Sequence, residues 1–163
     1  MIKNIDVFRY LVLFMVLGFS ACSKFLETEI IIAAPIEKTW EVFSDTSSYP
    51  DWNPMILKFN GEWKKDSVIE VELTQPGNDP MVFTPTIIAF EKGRLLEWQG
   101  VFVGKWLFTG KHKFELVSTS QNETIFKQSE SFNGIAIPFF DFDATKKAFE
   151  MMNEALKKRV EIK

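Results

Sequence analysis

Apolar and polar residues alternate along most of the chain, which predicts β-strands joined by short turns. The clearest case is residues 67–74, where Ile69, Val71 and Leu73 share one face and Glu70 and Glu72 the other. The other predicted strands are residues 28–33, 55–59, 81–90, 95–101, 108–117 and 124–132. Consecutive strands with short connections form an antiparallel meander, so we expect a sheet of six to seven strands.

Helical spacing of apolar residues occurs in two places. After Pro35, residues 36–43 carry Ile36, Trp40 and Phe43 at helical spacing, and Pro50 and Pro54 limit the next segment to a second short helix. A long amphipathic helix begins near Asp141 or Asp143, either of which can cap it, and continues almost to Lys163. Its apolar stripe consists of Ala148, Phe149, Met152, Leu156 and Val160.

This order of elements predicts an α+β domain of the helix-grip type. One face of the sheet must be covered, and the long C-terminal helix is the element able to cover it. A curved sheet wrapped around one helix leaves a hollow between them, and such a hollow suits small apolar molecules.

The first residues predict export. Lys3 and Arg9 precede an uncharged run, residues 10–19, that is shorter than the roughly 17–25 residues a spanning helix needs. We interpret residues 1–21 as a signal peptide, residues 22–27 as a tether and residues 28–163 as the domain. The ending before Cys22 resembles a bacterial lipoprotein signal, which implies lipidation of Cys22 and anchoring in the cell envelope. Ordinary secretion and an uncleaved N-terminal anchor are the alternatives.

Composition narrows the function classes. The 163 residues are 46% hydrophobic with a net charge of −3, so the chain has no basic excess for nucleic acid. One Cys and one His cannot build a His-rich metal centre, and no glycine-rich phosphate loop or nucleophile elbow is present. We therefore expect no metal, cofactor or nucleic acid. The 17 Phe residues favour a protein that encloses something apolar.

Five motifs follow one another along the chain: residues 33–43 with Asp45, Tyr49 and 52–54, then residues 96–98, 108–116, 128–134 and 152–157. In this order they resemble the SRPBCC superfamily, which includes START lipid-transfer domains, birch pollen allergens and polyketide cyclases/dehydrases. The resemblance covers about residues 29–161. It implies the helix-grip fold, and for function it implies an enzyme, a carrier, a receptor or a chaperone cofactor; export disfavours the last, because its partners lie in the cytosol.

A polar group is expected inside the aromatic wall. Alternation places Lys111, Lys113 and Glu115 in water, so His112 points inward; the same argument turns Gln128 and Glu130 inward. This trio is either a satisfied structural cluster, an anchor for a ligand's hydroxyl or carbonyl, or an acid–base pair of Glu130 and His112. The other predicted ligand-binding residues are Phe83, Trp98, Phe108, Phe114, Phe126, Phe132, Phe149 and Met152. Residues 138–140 form either a mobile apolar lip or core filling.

Two functions remain. The first is binding or transport of a hydrophobic small molecule, such as a lipid, an isoprenoid or a polyketide-like compound. The carrier would be an exported protein that contacts the membrane through its N-terminus only. The alternative is a cyclase or dehydratase that uses Glu130 and His112 for acid–base chemistry.

Overall fold

The computed structural model describes residues 23–102, 104 and 106–162. The predicted signal peptide and Cys22 lie outside the described residues. Within the described residues, no helix is both long enough and apolar enough to cross a membrane.

Eight strands and three α-helices make up the described fold. The strands are β1 (Ser23–Ile32), β2 (Ile56–Asn60), β3 (Glu70–Leu73), β4 (Met81–Phe83), β5 (Thr86–Glu91), β6 (Leu95–Phe102), β7 (Phe108–Ser120) and β8 (Glu123–Asn133). The helices are α1 (Ile36–Ser44), α2 (Tyr49–Trp52) and α3 (Phe142–Glu161), with single 3-10 turns at Thr46–Ser48 and Ile137–Phe139. The predicted α+β helix-grip fold is confirmed.

The strands form two antiparallel sheets instead of one. Five strands follow the order β1-β8-β7-β6-β5, and three follow the order β2-β3-β4. The predicted strand over residues 81–90 is divided at Pro85, whose ring removes a backbone donor and fixes φ, so the chain leaves one sheet and enters the other. Hydrogen bonds from Ile69 N to the Pro85 carbonyl (3.0 Å) and from Ile87 N to the Ser67 carbonyl (2.9 Å) join the sheets at this point.

The first strand begins earlier than the sequence predicts. Residues 23–27, expected to be part of a tether, belong to β1, and Ser23 lies opposite Asn133 at the end of β8. The sheet is antiparallel and its outer face is solvated, so Phe25 and Glu27 are exposed there, while Leu26 and Thr28 are buried on the inner face. Lys24 has the inner parity but is exposed near the end of the strand, where it lies over the Phe142 ring. The polar composition that suggested a tether is therefore compatible with a strand.

The long helix closes the inner face of the five-stranded sheet. Asp141 caps it by accepting hydrogen bonds from the backbone of Asp143 and Ala144. All five residues of the predicted apolar stripe are buried. At the other end of the helix, Lys157 donates to the Ile31 carbonyl (2.6 Å) and Glu161 accepts from Ala33 N (2.7 Å), which fixes the helix to the end of β1.

Candidate functional site

Strand register brings the three predicted polar side chains together on the inner face. On β7, His112 lies opposite Trp98 of β6 and Glu130 of β8, and Gln128 lies opposite the neighbouring Phe114. His112 is 4% exposed and Gln128 is fully buried, as their inward orientation requires. Alternation along β7 and β8 therefore predicts these orientations correctly.

The deep part of the interior, which we call the closed end, is packed ring against ring. The His112 ring stacks on Phe114 (centroids 4.1 Å apart) and on Phe149 (4.5 Å). The predicted lining residues Trp98, Phe114, Phe126, Phe149 and Met152 are all buried here, with Phe43 of α1 against Phe114 and Phe126. Among the described residues this region is filled by side chains, which differs from the open hollow that the sequence predicts.

A chain of hydrogen bonds crosses the closed end and fixes the orientation of His112. Asn153 of α3 donates to Thr28 Oγ1 (3.1 Å), and its Oδ1 accepts from Gln128 Nε2 (2.7 Å). Gln128 Nε2 also donates to the Phe149 carbonyl (3.1 Å), so Gln128 Oε1 is left to accept from His112 Nε2 at 3.2 Å. The network therefore favours the Nε2–H tautomer, in which the His112 Nδ1 lone pair faces Glu130.

Glu130 lies at the boundary between the closed end and the surface. Its side chain is 15% exposed, and Oε2 lies 3.7 Å from His112 Nδ1, just beyond hydrogen-bond distance. The carboxyl rests over Gly110, where an added Cβ would come within 2.5 Å of Oε1. A glycine at this position therefore makes the room that the carboxyl occupies.

Burial keeps both members of this pair uncharged near neutral pH. Desolvation raises the pKa of Glu130 from 4.5 to about 8, because the charged carboxylate loses its water. Desolvation also lowers the pKa of His112 from 6.5 to about 3, although the hydrogen bond with Gln128 opposes this shift. Glu130 is thus a carboxylic acid that can donate a hydrogen bond or a proton, and His112 is a neutral ring behind it.

Beyond Glu130 the aromatic side chains are only partly buried, and we call this region the open end. Phe83 of β4 lies over Gly100, where any side chain would overlap its ring. Gly100 and Gly110 face each other across β6 and β7, so these two strands carry no side chain at this row of the sheet. The aromatic residues around it are Phe108, Phe132, Phe140 and Phe142, of which Phe132 is buried and the others half-buried. Phe108 and Phe140 stack at 4.8 Å.

The predicted lining set therefore divides in two. Phe83, Phe108, Phe132 and Glu130 border the open end, whereas the remaining predicted residues belong to the closed end. A separate groove of about 590 Å³, lined by Pro54, Lys147, Glu150, Met151 and Glu154, lies open to solvent and shares no residue with either end. Its three charged side chains do not suit an apolar ligand. The described residues contain no group of three or more His, Cys, Asp or Glu side chains able to hold a metal ion.

Sequence reasoning missed four residues of the site: Thr28, Asn153, Gly100 and Gly110. Asn153 carries a signal that was available, because it lies four residues after Phe149 on the apolar stripe, where a polar side chain must find a buried partner. Thr28 has the same inward parity as Leu26 on β1. The two glycines show their role only when the register of β6 and β7 is known.

The family model described as "Polyketide cyclase / dehydrase and lipid transport" matches residues 26–161. The chain belongs to this family. The match spans β1 to the end of α3, and it confirms the resemblance to the SRPBCC superfamily. A search of curated proteins gives no match.

Solved structures of the same fold come from several kinds of protein. An aromatase/cyclase from Streptomyces sp. R1128 is 14% identical, with a TM-score of 0.67 over 86% of this chain and 94% of that one. The ginseng (Panax ginseng) major latex-like protein 151 is 13% identical, with a TM-score of 0.70 over 86% and 99%. A START superfamily protein from Mycobacterium smegmatis is 19% identical, with a TM-score of 0.64 over 84% and 97%. These similarities show the fold, which hosts more than one function.

Proposed function

We propose that this member of the polyketide cyclase/dehydrase and lipid transport family binds and carries a hydrophobic small molecule at the open end. The ligand would bear a hydrogen-bond-accepting group, such as a carbonyl, at one end. Phe83, Phe108 and Phe140 would contact its apolar part, and Glu130 would bind the polar group. The aromatic side chains at this end would have to move aside to admit it.

One observation carries the proposal: the Glu130 carboxyl lies in apolar surroundings with no hydrogen bond to any described residue. Its nearest polar neighbour, His112 Nδ1, is 3.7 Å away and carries no charge near neutral pH. The carboxyl oxygens keep some exposure, so water can reach them. An accepting group on a ligand would take the place of this water, and a hydrogen bond of this kind contributes about 0.5–1.5 kcal/mol net.

The half-buried aromatic side chains supply the apolar contact. A ligand that buries about 300 Å² of apolar surface gains on the order of 7 kcal/mol before the costs of association. That gain is compatible with micromolar affinity, and the bond with Glu130 would add selectivity between ligands with and without an acceptor.

Displacement of a fluorescent fatty-acid analogue tests this function. Mass spectrometry of an organic-solvent extract of the purified protein would identify a bound lipid to use as competitor. Glu130→Gln keeps the size of the side chain, so it should retain uptake of the probe and change only the ranking of competitors. Failure of the wild-type protein to take up any apolar probe would refute the proposal.

A second function has specific support from the same pair. A neutral carboxylic acid with a pKa of about 8 can transfer a proton, as a cyclase or dehydratase requires. Only Glu130 could touch a substrate, because His112 is enclosed between Phe114 and Phe149. If the protein is an enzyme, Glu130 is its catalytic residue and His112 positions the proton. Glu130→Gln would then abolish turnover while binding persists.

The proposed location is the cell envelope, with the chain exported and anchored through a lipid on Cys22. The support is in the sequence: a short apolar run, residues 10–19, is followed by the only Cys of the chain. Labelled palmitate should be incorporated into the wild-type protein and not into Cys22→Ala. Equal labelling of the two would rule out lipidation at this residue.

A further inference from the structure

Two loops and the start of β1 meet at one end of the five-stranded sheet. Ser23 lies opposite Asn133, and Asn133 lies opposite Thr109, so the beginning of β1, the end of β8 and the beginning of β7 share one row. The connections β6–β7 and β8–α3 leave the sheet at this row. They are joined by hydrogen bonds from Ile135 N to the Trp106 carbonyl (3.3 Å) and from Ala136 N to the Leu107 carbonyl (3.1 Å).

Large aromatic side chains are exposed on these segments. Phe139 is 91% exposed, Trp106 is 68% exposed and Phe25 is 57% exposed. Each comes from a different segment: the β8–α3 connection, the β6–β7 connection and the outer face of β1. Gly134 lets the first two connections pack closely, because its φ is +141° and a side chain there would collide with the Leu107 carbonyl. The exposed rings therefore lie on segments that meet at this end of the sheet.

We propose that Trp106, Phe139 and Phe25 form a docking surface that inserts into the interface of a lipid bilayer, so that the open end faces the membrane. Aromatic rings are favoured at the level of the lipid headgroups, and exposed apolar patches of this kind mark interaction sites. This inference extends the proposed membrane location, which predicts contact through the N-terminus only. It does not depend on ligand binding.

The apolar run at residues 10–19 favours the lipid bilayer as the partner of this surface. Residues 10–19 end only three residues before Ser23, and Ser23 is already paired with Asn133 in the sheet. An extended residue spans at most about 3.6 Å, so a lipid on Cys22 would hold the row of Ser23 against the membrane surface. An uncleaved anchor would leave a connection of three residues and hold the same row close to it. No flexible spacer within the described residues would let the domain turn this end away.

Charges near the surface nearly cancel. Lys24 and Lys111 are exposed near this end of the sheet, Asp141 and Asp143 are exposed at the start of α3, and the sequence adds Lys105 in the β6–β7 connection. Lys24 also lies over the Phe142 ring at 5.8 Å. Because three Lys and two Asp residues leave a net charge of only +1, docking to uncharged phosphatidylcholine should rely on the aromatic rings and should change little with salt concentration.

Quenching of Trp106 fluorescence by brominated lipid tests the docking surface. The full chain is reconstituted into phosphatidylcholine vesicles with and without brominated acyl chains. We expect quenching of the wild-type protein and loss of most of it in Trp106→Phe, because Trp40 and Trp98 are buried and the remaining two, Trp52 and Trp63, are partly buried against the core. Substitution of a ring that is 68% exposed should leave the fold intact. The quenching should persist at high salt.

A relocated probe provides the matched control. Val117 is exposed on β7 at the opposite end of the sheet, so Trp106→Phe combined with Val117→Trp should restore tryptophan emission without restoring the quenching. Equal quenching at both positions, or quenching unchanged by Trp106→Phe, would overturn the docking surface. Unquenched Trp106 in protein that is retained by the vesicles would refute the docking surface and leave the proposed location standing. If the protein dimerises in the absence of vesicles and the dimer shields Trp106, the docking surface is also refuted. The exposed rings would then be the interface with a second copy of the chain.

Discussion

The closed end and the open end of the same sheet are built from similar residues, but they differ in how tightly those residues are packed and in whether their polar groups are hydrogen-bonded. At the closed end the His112 ring is stacked between Phe114 and Phe149. Its Nε2 belongs to a chain of hydrogen bonds that runs through Gln128 and Asn153 to Thr28 of β1. At the open end Glu130 has no hydrogen bond to a described residue, and the aromatic rings around it are mostly half-buried. The closed end has the features of a structural core, and the open end has those of a binding site.

The boundary between the two ends lies between adjacent rows of the sheet. His112 and Glu130 lie opposite each other, and the next row places Gly110 between Gly100 and Phe132. Removing two side chains from the floor at this row makes space for the Glu130 carboxyl and for the Phe83 ring. A single step along β7 thus separates a packed region from one that can rearrange.

Replacing one phenylalanine by alanine at each end should give the largest difference in the free energy of unfolding. Phe114→Ala leaves a cavity at the closed end and should lower the free energy of unfolding by about 3–5 kcal/mol. Phe108→Ala removes a half-buried ring and should cost about 1–2 kcal/mol, because less apolar surface is lost. Urea unfolding followed by far-UV circular dichroism measures both. Equal losses would mean that the open end is packed as a core.

Breaking the hydrogen-bonded chain should have the next largest effect. Asn153→Leu leaves Gln128 Nε2 with one partner fewer and Thr28 without its donor, at a cost of about 1–3 kcal/mol. It should also free Gln128 to turn, so His112 would no longer be held in the Nε2–H tautomer. Because the chain has one His, ¹⁵N NMR of its ring nitrogens reports this change directly. Glu154→Leu, on the solvent face of the same helix, should leave the tautomer unchanged.

Sequence alone predicts most of the frame that positions the site. The alternation of side chains along β7 and β8 is enough to predict that His112, Gln128 and Glu130 point inward, because the charged residues on the other face must remain in water. The helix stripe and the Asp141 cap follow from spacing and side-chain chemistry. The sequence does not predict the early start of β1, because residues 23–27 do not alternate: Phe25 is exposed on the outer face, and Lys24 is exposed although it has the parity of the buried Leu26.

What sequence could not predict is how the interior is filled. Whether Phe114 and Phe149 enclose a hollow or stack on His112 depends on side-chain rotamers and on the distance between α3 and the sheet, which alternation does not encode. The role of Asn153 depends on a contact between α3 and β8 across 25 positions of the chain. The division at Pro85 had a local signal, because proline in a strand marks an edge or an end.

The pH dependence of stability should distinguish the two neutral groups. Glu130 contributes stability that is present below pH 4.5 and is lost as pH rises toward about 8, because its pKa is raised on folding. His112 acts in the opposite direction: its pKa is lowered on folding, so stability is lost as pH falls from 6.5 toward about 3. The two slopes cancel between pH 4.5 and 6.5, so this pair should produce a plateau there.

Above pH 6.5 only the contribution of Glu130 remains, and at about 1.4 kcal/mol per pH unit the fall by pH 8 is about 2 kcal/mol. Residue 130 of Glu130→Gln cannot ionise, so the free energy of unfolding of this variant should not fall above pH 6.5. It should still decline on the acid side, where His112 is protonated on unfolding. Urea midpoints measured for both proteins across this range give the difference. A difference between the two proteins that stays constant between pH 6.5 and 8 would show that Glu130 is already ionised in the folded protein.

The smallest expected effect comes from filling the floor of the open end. Gly110→Ala places a methyl group 2.5 Å from the present position of Glu130 Oε1, so the carboxyl must swing away while the Phe83 ring keeps its place over Gly100. We expect about a fivefold loss of affinity, or about 1 kcal/mol, for competitors with an accepting group, and little change for the apolar probe. Gly100→Ala should show the reverse pattern, because the methyl group there displaces the Phe83 ring and leaves Glu130 in place. If both variants weaken both classes of ligand equally, Glu130 does not distinguish between them, and the open end binds through apolar contact alone.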